Sequence, residues 1–189
     1  MLQEIVLKNR SYRRFDGSFS IAESLLRDLV GLARICPSSR NQQALKFRLV
    51  HNPEEAGNVF KTLAWAGYLK EWGGPSEEER PSAYIVIAGD TTLGTKFDTD
   101  LGIVAQTILL GAAERELGGC MIASVQKEAL RQLLKFPDYL EILMVIALGK
   151  PVETVVIEPV TDGNIRYWRS EDRVHHVPKR SLEDLLINP

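Results

Sequence analysis

Asp100-Leu101-Gly102-Ile103-Val104-Ala105-Gln106-Thr107-Ile108-Leu109-Leu110-Gly111-Ala112-Ala113-Glu114-Arg115-Glu116-Leu117 is the stretch on which the fold turns. Apolar residues recur on the 101, 104, 105, 108, 109, 112 stripe, the spacing of an α-helix, and again on the 103, 110, 117 stripe. A helix apolar nearly all round is covered on every side. In a chain of 189 residues that cover is most easily supplied by a second copy, because burying one Leu is worth roughly 1.5–3 kcal/mol and leaving several solvated is unfavourable.

The flanking segments read as the rest of a single core. Residues 83–88 are continuously apolar and end at Gly89, as expected of a strand covered on both faces, and residues 140–148 form another such run, closed by Gly149-Lys150-Pro151. Gly118-Gly119 is expected to stop the central helix, with residues 120–125 extended and a short helix over about 127–134. Upstream, Ser20 three residues before Glu23 has the form of a capping box, and Ile21, Leu25, Leu26, Leu29, Leu32 and Ala33 predict a helix over 21–35 that Pro37 ends. Residues 45–50 alternate as a half-buried strand, and Asn52-Pro53-Glu54-Glu55 predicts a capped helix to about Ala66. Leu2, Ile5 and Val6 give a weak helical period at the start. From Val152 the chain turns β-branched, with extended residues 152–160, a turn at Asp162-Gly163, short strands over 165–168 and 174–177, and a last turn capped by Ser181 and Asp184. This reads as an arm without an obvious partner in a small domain. No repeat or linker divides the chain, so residues 1–189 are expected to form one domain, about 152–189 being the arm.

Composition removes several classes of function. With 25 acidic against 23 basic residues there is no basic excess of the kind a dedicated nucleic-acid binder carries. Cys36 and Cys120 are too few for a disulfide framework, and neither has a zinc spacing with His51, His175 or His176. His175 and His176 are neighbours in an expected strand and so point to opposite faces, which speaks against a shared metal. Residues 89–96 have the glycine spacing of a phosphate loop, but Lys96 and Thr95 are exchanged relative to the working order. No apolar signal core or bilayer-length run is present, and a reducing, cytoplasmic setting without membrane or nucleic-acid partners is expected.

What remains points to a small anionic ligand. Arg10, Ser11, Arg13 and Arg14 place three guanidiniums and a hydroxyl in five positions, either a solvated basic turn or a cradle for phosphate oxygens. Lys179-Arg180 is a second basic knot that could share the same phosphate. The run from Pro37 through Ser38, Ser39, Asn41 and Gln43 is either a connector or a binding loop whose amides suit the edge of a planar heterocycle. Trp65, Tyr68 and Trp72 are either core anchors or a ligand wall, and Cys120 reads as a buried small hydrophobe.

Taken in order, Arg10-Ser11-Tyr12-Arg13, Pro37-Ser38-Ser39-Arg40-Asn41-Gln42-Gln43, Asp100-Leu101-Gly102, Leu117-Gly118-Gly119-Cys120, Ala147-Leu148-Gly149 and Lys179-Arg180 resemble the flavin-dependent nitroreductases over nearly the whole chain. The chain departs from that pattern at Asn9, where a further Arg is frequent, and at Ala44-Leu45, where Pro-Trp is common. The resemblance implies an α+β fold with a central, mostly antiparallel sheet flanked by helices, in an intertwined homodimer with an exchanged C-terminal arm and one FMN at each of two subunit interfaces. It implies that Arg10 and Ser11 face the FMN phosphate, Arg13 the ribityl chain and ring, and that Lys179 and Arg180 complete the phosphate site. Pro37, Ser38, Ser39, Asn41 and Gln43 would meet the flavin from the partner subunit. Met121, Ile122, Ala123 and Ser124 would lie along the ring, and Trp65, Tyr68 and Trp72 would wall an acceptor pocket. The implied activity is electron transfer from NAD(P)H through FMN to a nitroaromatic, quinone or similar acceptor, with no catalytic side chain and no metal. Two rivals are a non-catalytic FMN-binding or storage module and a same-fold flavoenzyme of other chemistry, such as reductive dehalogenation or flavin breakdown.

Overall fold

The computed structural model describes residues 1–187, so the last two residues of the expected arm lie outside the described residues. The helices are α1 (Leu2–Lys8), α2 (Glu23–Arg34), α3 (Pro53–Phe60), α4 (Asp98–Glu114) and α5 (Lys127–Leu134). The strands are β1 (Leu45–Val50), β2 (Ala83–Asp90), β3 (Gly118–Ile122), β4 (Leu140–Gly149), β5 (Val155–Pro159), β6 (Trp168–Arg169) and β7 (His175–Lys179). An antiparallel sheet in the order β1-β2-β4-β3 forms the centre, and helices cover both its faces, so the α+β class expected from the sequence is the observed one.

Strand alternation explains why β2 is apolar throughout. Ile85 and Ile87, with Ile146 and Leu148 of β4, pack on α2 and α4, whereas Tyr84 and Val86, with Val145 and Ala147, pack on α3 and α5. The central helix α4 buries Val104, Ala105, Ile108, Leu109 and Ala112 within its own chain. Leu117 lies beyond the helix and is also buried, while Leu101, Ile103 and Leu110 are half-buried. The chain thus covers more of this helix than the two-stripe pattern predicts. Gly111 permits part of that cover, since a Cβ there would meet the Leu32 side chain at 2.5 Å.

Three local expectations fail for identifiable reasons. Helix α2 starts at Glu23 with Ala22 at its cap, and Ser20 does not cap it. Burial of Ile21 in the core fixes the entry instead. Helix α3 is capped by Asn52, whose Oδ1 accepts from the N–H groups of Glu54 (3.0 Å) and Glu55 (3.2 Å). It ends at Phe60 and not near Ala66, because the following backbone is taken up elsewhere: Ala64 N–H donates to the Ser124 carbonyl (2.9 Å) and Gln126 N–H to that of Thr62 (2.8 Å). The left-handed residue after α4 is Glu116 (φ 57°), not Gly118 or Gly119, which already lie in β3. These glycines are required by packing. A Cβ on Gly119 would stand 2.4 Å from the Ala147 carbonyl oxygen.

The C-terminal arm has partners within the chain, contrary to the sequence reading. Its strands form a second sheet, β5-β7-β6, in which β5 and β7 run parallel. Asp162 (φ 51°) and Gly163 (φ 71°) make the turn, and Ser181 and Asp184 exchange hydrogen bonds near the end as their spacing suggests. The arm docks on residues 13–15. Glu153, whose side chain is fully buried, accepts the Arg13 backbone N–H (2.9 Å) and pairs with Arg169, while Val152 N–H donates to the Arg14 carbonyl (3.1 Å). Arg14 Nε donates to Glu79 (2.7 Å), which also takes Arg173 (2.8 Å).

Two stability outcomes follow from this packing. Gly119→Ala should lower the urea unfolding free energy by about 1–3 kcal/mol through overpacking, whereas Gly31→Ala, inside α2 with nothing near its missing Cβ, should raise it by about 0.5–1 kcal/mol. The second concerns His175, which is buried in the docked arm with its pKa lowered to about 4, first by burial and then by Arg13, Arg169 and His176. Folding keeps this ring neutral, so its contribution, on the order of 3 kcal/mol, is complete above pH 6.5 and is lost as the pH falls through 4. Urea midpoints measured from pH 7 to pH 4 should therefore fall more steeply for the wild type than for His175→Gln.

Candidate active site

The open edge of β3 is where the two ends of the chain meet. Residues 10–13 run beside it, with Ser11 bridging Gly119 and the Tyr12 N–H donating to the Gly119 carbonyl (3.0 Å). On the other side stands β7, whose alternate residues His175, Val177 and Lys179 share one face by strand periodicity. Together with Met121 of β3 these elements enclose a cleft of about 350 Å³, lined also by Arg10, Ser11, Arg13 and Tyr167. A smaller hollow of about 200 Å³ shares Arg13, Met121 and Tyr167 with it and is bounded by residues 64–67 and 120–124. The latter segment is positioned by the hydrogen bonds that cut α3 short.

The cleft is electropositive because its cations have no counter-ions among the described residues. Arg10 donates from Nη2 to the Val6 carbonyl (2.6 Å), and its Nε is buried with no partner among the described residues. Arg13 donates from Nη1 to the Ser11 carbonyl (3.2 Å), lies 3.3 Å from His175 Nε2, and stacks 5.0 Å from the centroid of Tyr167. The nearby acids are engaged elsewhere, Glu153 with Arg169 and Glu79 with Arg14 and Arg173. Arg14 is therefore a structural residue, although its position in the sequence makes it look equivalent to Arg13. Burial pushes the Cys120 thiol up, with Arg13 opposing, so this cysteine is a protonated wall residue.

Most of the sequence-derived candidates converge here and some do not. Arg10, Ser11, Arg13, Met121 and Lys179 line the larger cleft, while Ile122, Ala123 and Ser124 line the smaller one. Arg180 is exposed, lies just past the end of β7 and borders neither. Pro37, Ser38 and Gln43 border a different hollow of about 300 Å³ with Phe47, Asp100 and Val104. Ser39 N–H donates to Asp100 Oδ1 (2.9 Å), and Asn41 is exposed. Arg40 (φ 52°), Asn41 (φ 55°) and Gln43 (φ 51°) are all left-handed without being glycine, a concentration of strain typical of ligand loops. Of the three aromatics, Trp65 lines the smaller hollow with its indole N–H unpartnered among the described residues, its ring centroid 5.6 Å from that of Phe60. Tyr68 packs with its ring tilted against Tyr167, centroids 4.9 Å apart, and donates its backbone N–H to the Tyr167 hydroxyl (3.2 Å). Trp72 lies under Arg169 (4.4 Å) and borders neither space.

Tyr167, His175 and Glu153 are the residues that sequence reasoning missed. For His175 a signal existed: counting in twos back from Lys179 puts 177 and 175 on the cleft face. For Tyr167 and Glu153 no local signal exists, since their roles depend on how the arm docks.

Among the described residues there is no cluster of three or more His, Cys, Asp or Glu able to hold a metal ion, and no helix is long and apolar enough to cross a membrane. A model of the nitroreductase family matches residues 94–150, which span α4, β3, α5 and β4. Among solved structures, a nitroreductase family protein from Clostridium difficile is 18% identical with a TM-score of 0.69, covering 99% of this chain and 96% of that one. A nitroreductase family protein from Clostridium novyi is 22% identical (TM-score 0.68, covering 80% and 85%), and an FMN-dependent nitroreductase from Clostridium difficile is 23% identical (TM-score 0.64, covering 79% and 87%). The chain resembles the nitroreductase family by sequence over residues 94–150 and by fold over most of its length.

Proposed function

We propose that the protein is an FMN-dependent oxidoreductase that passes electrons from NAD(P)H to a small oxidised acceptor such as a nitroaromatic or quinone. The observation that carries this reading is the set Arg10, Arg13 and Lys179, paired with no acid among the described residues, around one cleft beside the backbone of residues 121–124. These groups suit FMN. The buried Nε of Arg10, without a partner among the described residues, and the Lys179 ammonium fit a phosphate, and Arg13 fits the ribityl chain and ring. FMN, when bound, would supply the hydride and electron chemistry. The chain's own residues would bind and orient it, shield the ring with Met121 and Tyr167, and hold a positive guanidinium where negative charge accumulates on reduction. Ser38, Ser39, Asn41 and Gln43 would serve the cleft of a second subunit, and the half-buried Leu101, Ile103 and Leu110 would face that subunit. Two cysteines without a disulfide accord with a reducing, cytoplasmic setting.

Arg10→Ala and Lys179→Ala should each weaken FMN binding about ten- to a hundredfold, since a charge-assisted hydrogen bond contributes roughly 1.5–3 kcal/mol, and should leave riboflavin binding unchanged. Equal losses for both ligands, measured by fluorescence titration, would remove the phosphate assignment. Steady-state oxidation of NADH or NADPH with menadione tests the electron path, and a yellow protein that neither nicotinamide reduces would be a binding module or an enzyme of other chemistry. The assembly is checked by analytical ultracentrifugation at low micromolar concentration. The wild type should sediment as a dimer, and Leu110→Asp should yield insoluble or flavin-free protein. A flavin-loaded monomer of 21.2 kDa would refute the shared site.

A further inference from the structure

Arg13 is held in the cleft by three contacts, none of which brings a negative charge to its guanidinium. Its Nη1 donates to the Ser11 carbonyl (3.2 Å) and lies 3.3 Å from His175 Nε2, and the plane stands over Tyr167 at 5.0 Å. A guanidinium has no lone pair to offer, so His175 Nε2 is the acceptor and the ring proton sits on Nδ1. Nδ1 is buried without a partner among the described residues, so no competing bond selects that tautomer, and the contact with Arg13 does. The ring itself is fixed. His175 is 1% exposed, its backbone N–H donates to the Thr154 carbonyl (2.8 Å), and its face lies 5.2 Å from Tyr167. Meanwhile the one buried carboxylate bonded to Arg13 takes its backbone N–H and gives its other oxygen to Arg169.

We propose that His175 is a positioning residue: a neutral acceptor that fixes the Arg13 guanidinium over the cleft while leaving its positive charge uncompensated, so that bound flavin is easier to reduce. A carboxylate at this position would hold the guanidinium equally well and cancel its charge, and an apolar residue would preserve the charge but release its orientation. Only a neutral acceptor does both. Burial of the ring and the nearby charges of Arg13, Arg169 and His176 all oppose its protonation, so the device operates unchanged across the neutral range. This inference rests on the proposed function for its consequence, though not for the contact itself.

The contact is tested on flavin-free wild-type protein by ¹⁵N NMR of labelled histidine. His175 is expected as the neutral, Nδ1-protonated tautomer from pH 6 to pH 8, and an Nε2-protonated or charged ring would overturn the proposal. The consequence is tested by the midpoint potential of bound FMN in His175→Gln, His175→Leu and His175→Glu. Gln keeps a neutral acceptor and should retain the wild-type potential. Glu should weaken binding of reduced FMN at least tenfold relative to oxidised FMN, which lowers a two-electron potential by about 30 mV, and Leu should fall in between. Equal potentials in the flavin-loaded variants would overturn the proposal, as would a wild-type potential in His175→Glu if the other two do not retain flavin. A wild type that takes up no FMN refutes the proposed function instead, and the tautomer measurement still decides whether His175 holds Arg13.

Discussion

A carboxylate buried as fully as that of Glu153 must be paired, and the way it is paired organises the molecule. One oxygen takes the backbone N–H of Arg13 and the other the guanidinium of Arg169, so a single acid ties the N-terminal segment to the C-terminal arm. Its neighbourhood leaves little freedom for another arrangement. Phe15 bridges Pro151, and a side chain on Gly149 would strike the Phe15 ring at 2.7 Å, so the chain leaves β4 directly against residues 13–15. Removing one partner from a buried ion pair typically destabilises by 3–5 kcal/mol, which gives this junction weight comparable to a large core side chain. The cleft exists because this junction brings the first and last structured segments to the same edge of β3.

The same junction sorts the arginines. Arg14 and Arg173 share Glu79, and Arg169 takes Glu153, so three cations occupy two carboxylates in building the frame. Arg13, one residue from Arg14, points the other way and keeps only neutral acceptors. In a protein with a nearly even charge balance, an electropositive site is made by assigning the acids to other arginines, not by adding bases. Counting charges along the sequence cannot reveal that, because it is decided by contacts between residues far apart in the chain.

The sequence is legible where local pattern and tertiary burial agree. The two-faced core strands, α5 and the Asn52 cap are all found where periodicity and capping chemistry put them. It misleads where packing overrides a local rule: Ser20 loses its capping role to the burial of Ile21, and α3 is cut short because residues 62–64 bond to 124–126. The site shows the same division. Arg10, Ser11 and Arg13 announce themselves by crowding, and Lys179 by its place beside Arg180, but only Lys179, the last residue of β7, shares the face of His175 and Val177 and borders the cleft. Tyr167 carries no mark at all, since its contacts with Arg13 and Tyr68 arise only when the arm docks.

The loop over residues 37–43 presents the opposite case, a conspicuous motif that its own chain does not bring to the cleft. It meets α4 at Asp100 and Val104, whereas the cleft is walled by Gln106 and Leu109 of the same helix. At 3.6 residues per turn these pairs stand more than about 120° apart around the helix, so α4 itself lies between the loop and the cleft. A flat ligand seated against Met121 cannot turn that corner. Yet the loop holds Arg40, Asn41 and Gln43 in the left-handed region without a glycine among them, and Asp100 fixes its backbone through Ser39 N–H. Strain of this kind persists only where surrounding structure imposes it, and an ordinary connector has no use for it. A helix that walls the cleft on one side and carries the loop on another accords with the proposed dimer, in which two copies packed along that helix would each complete the other's site.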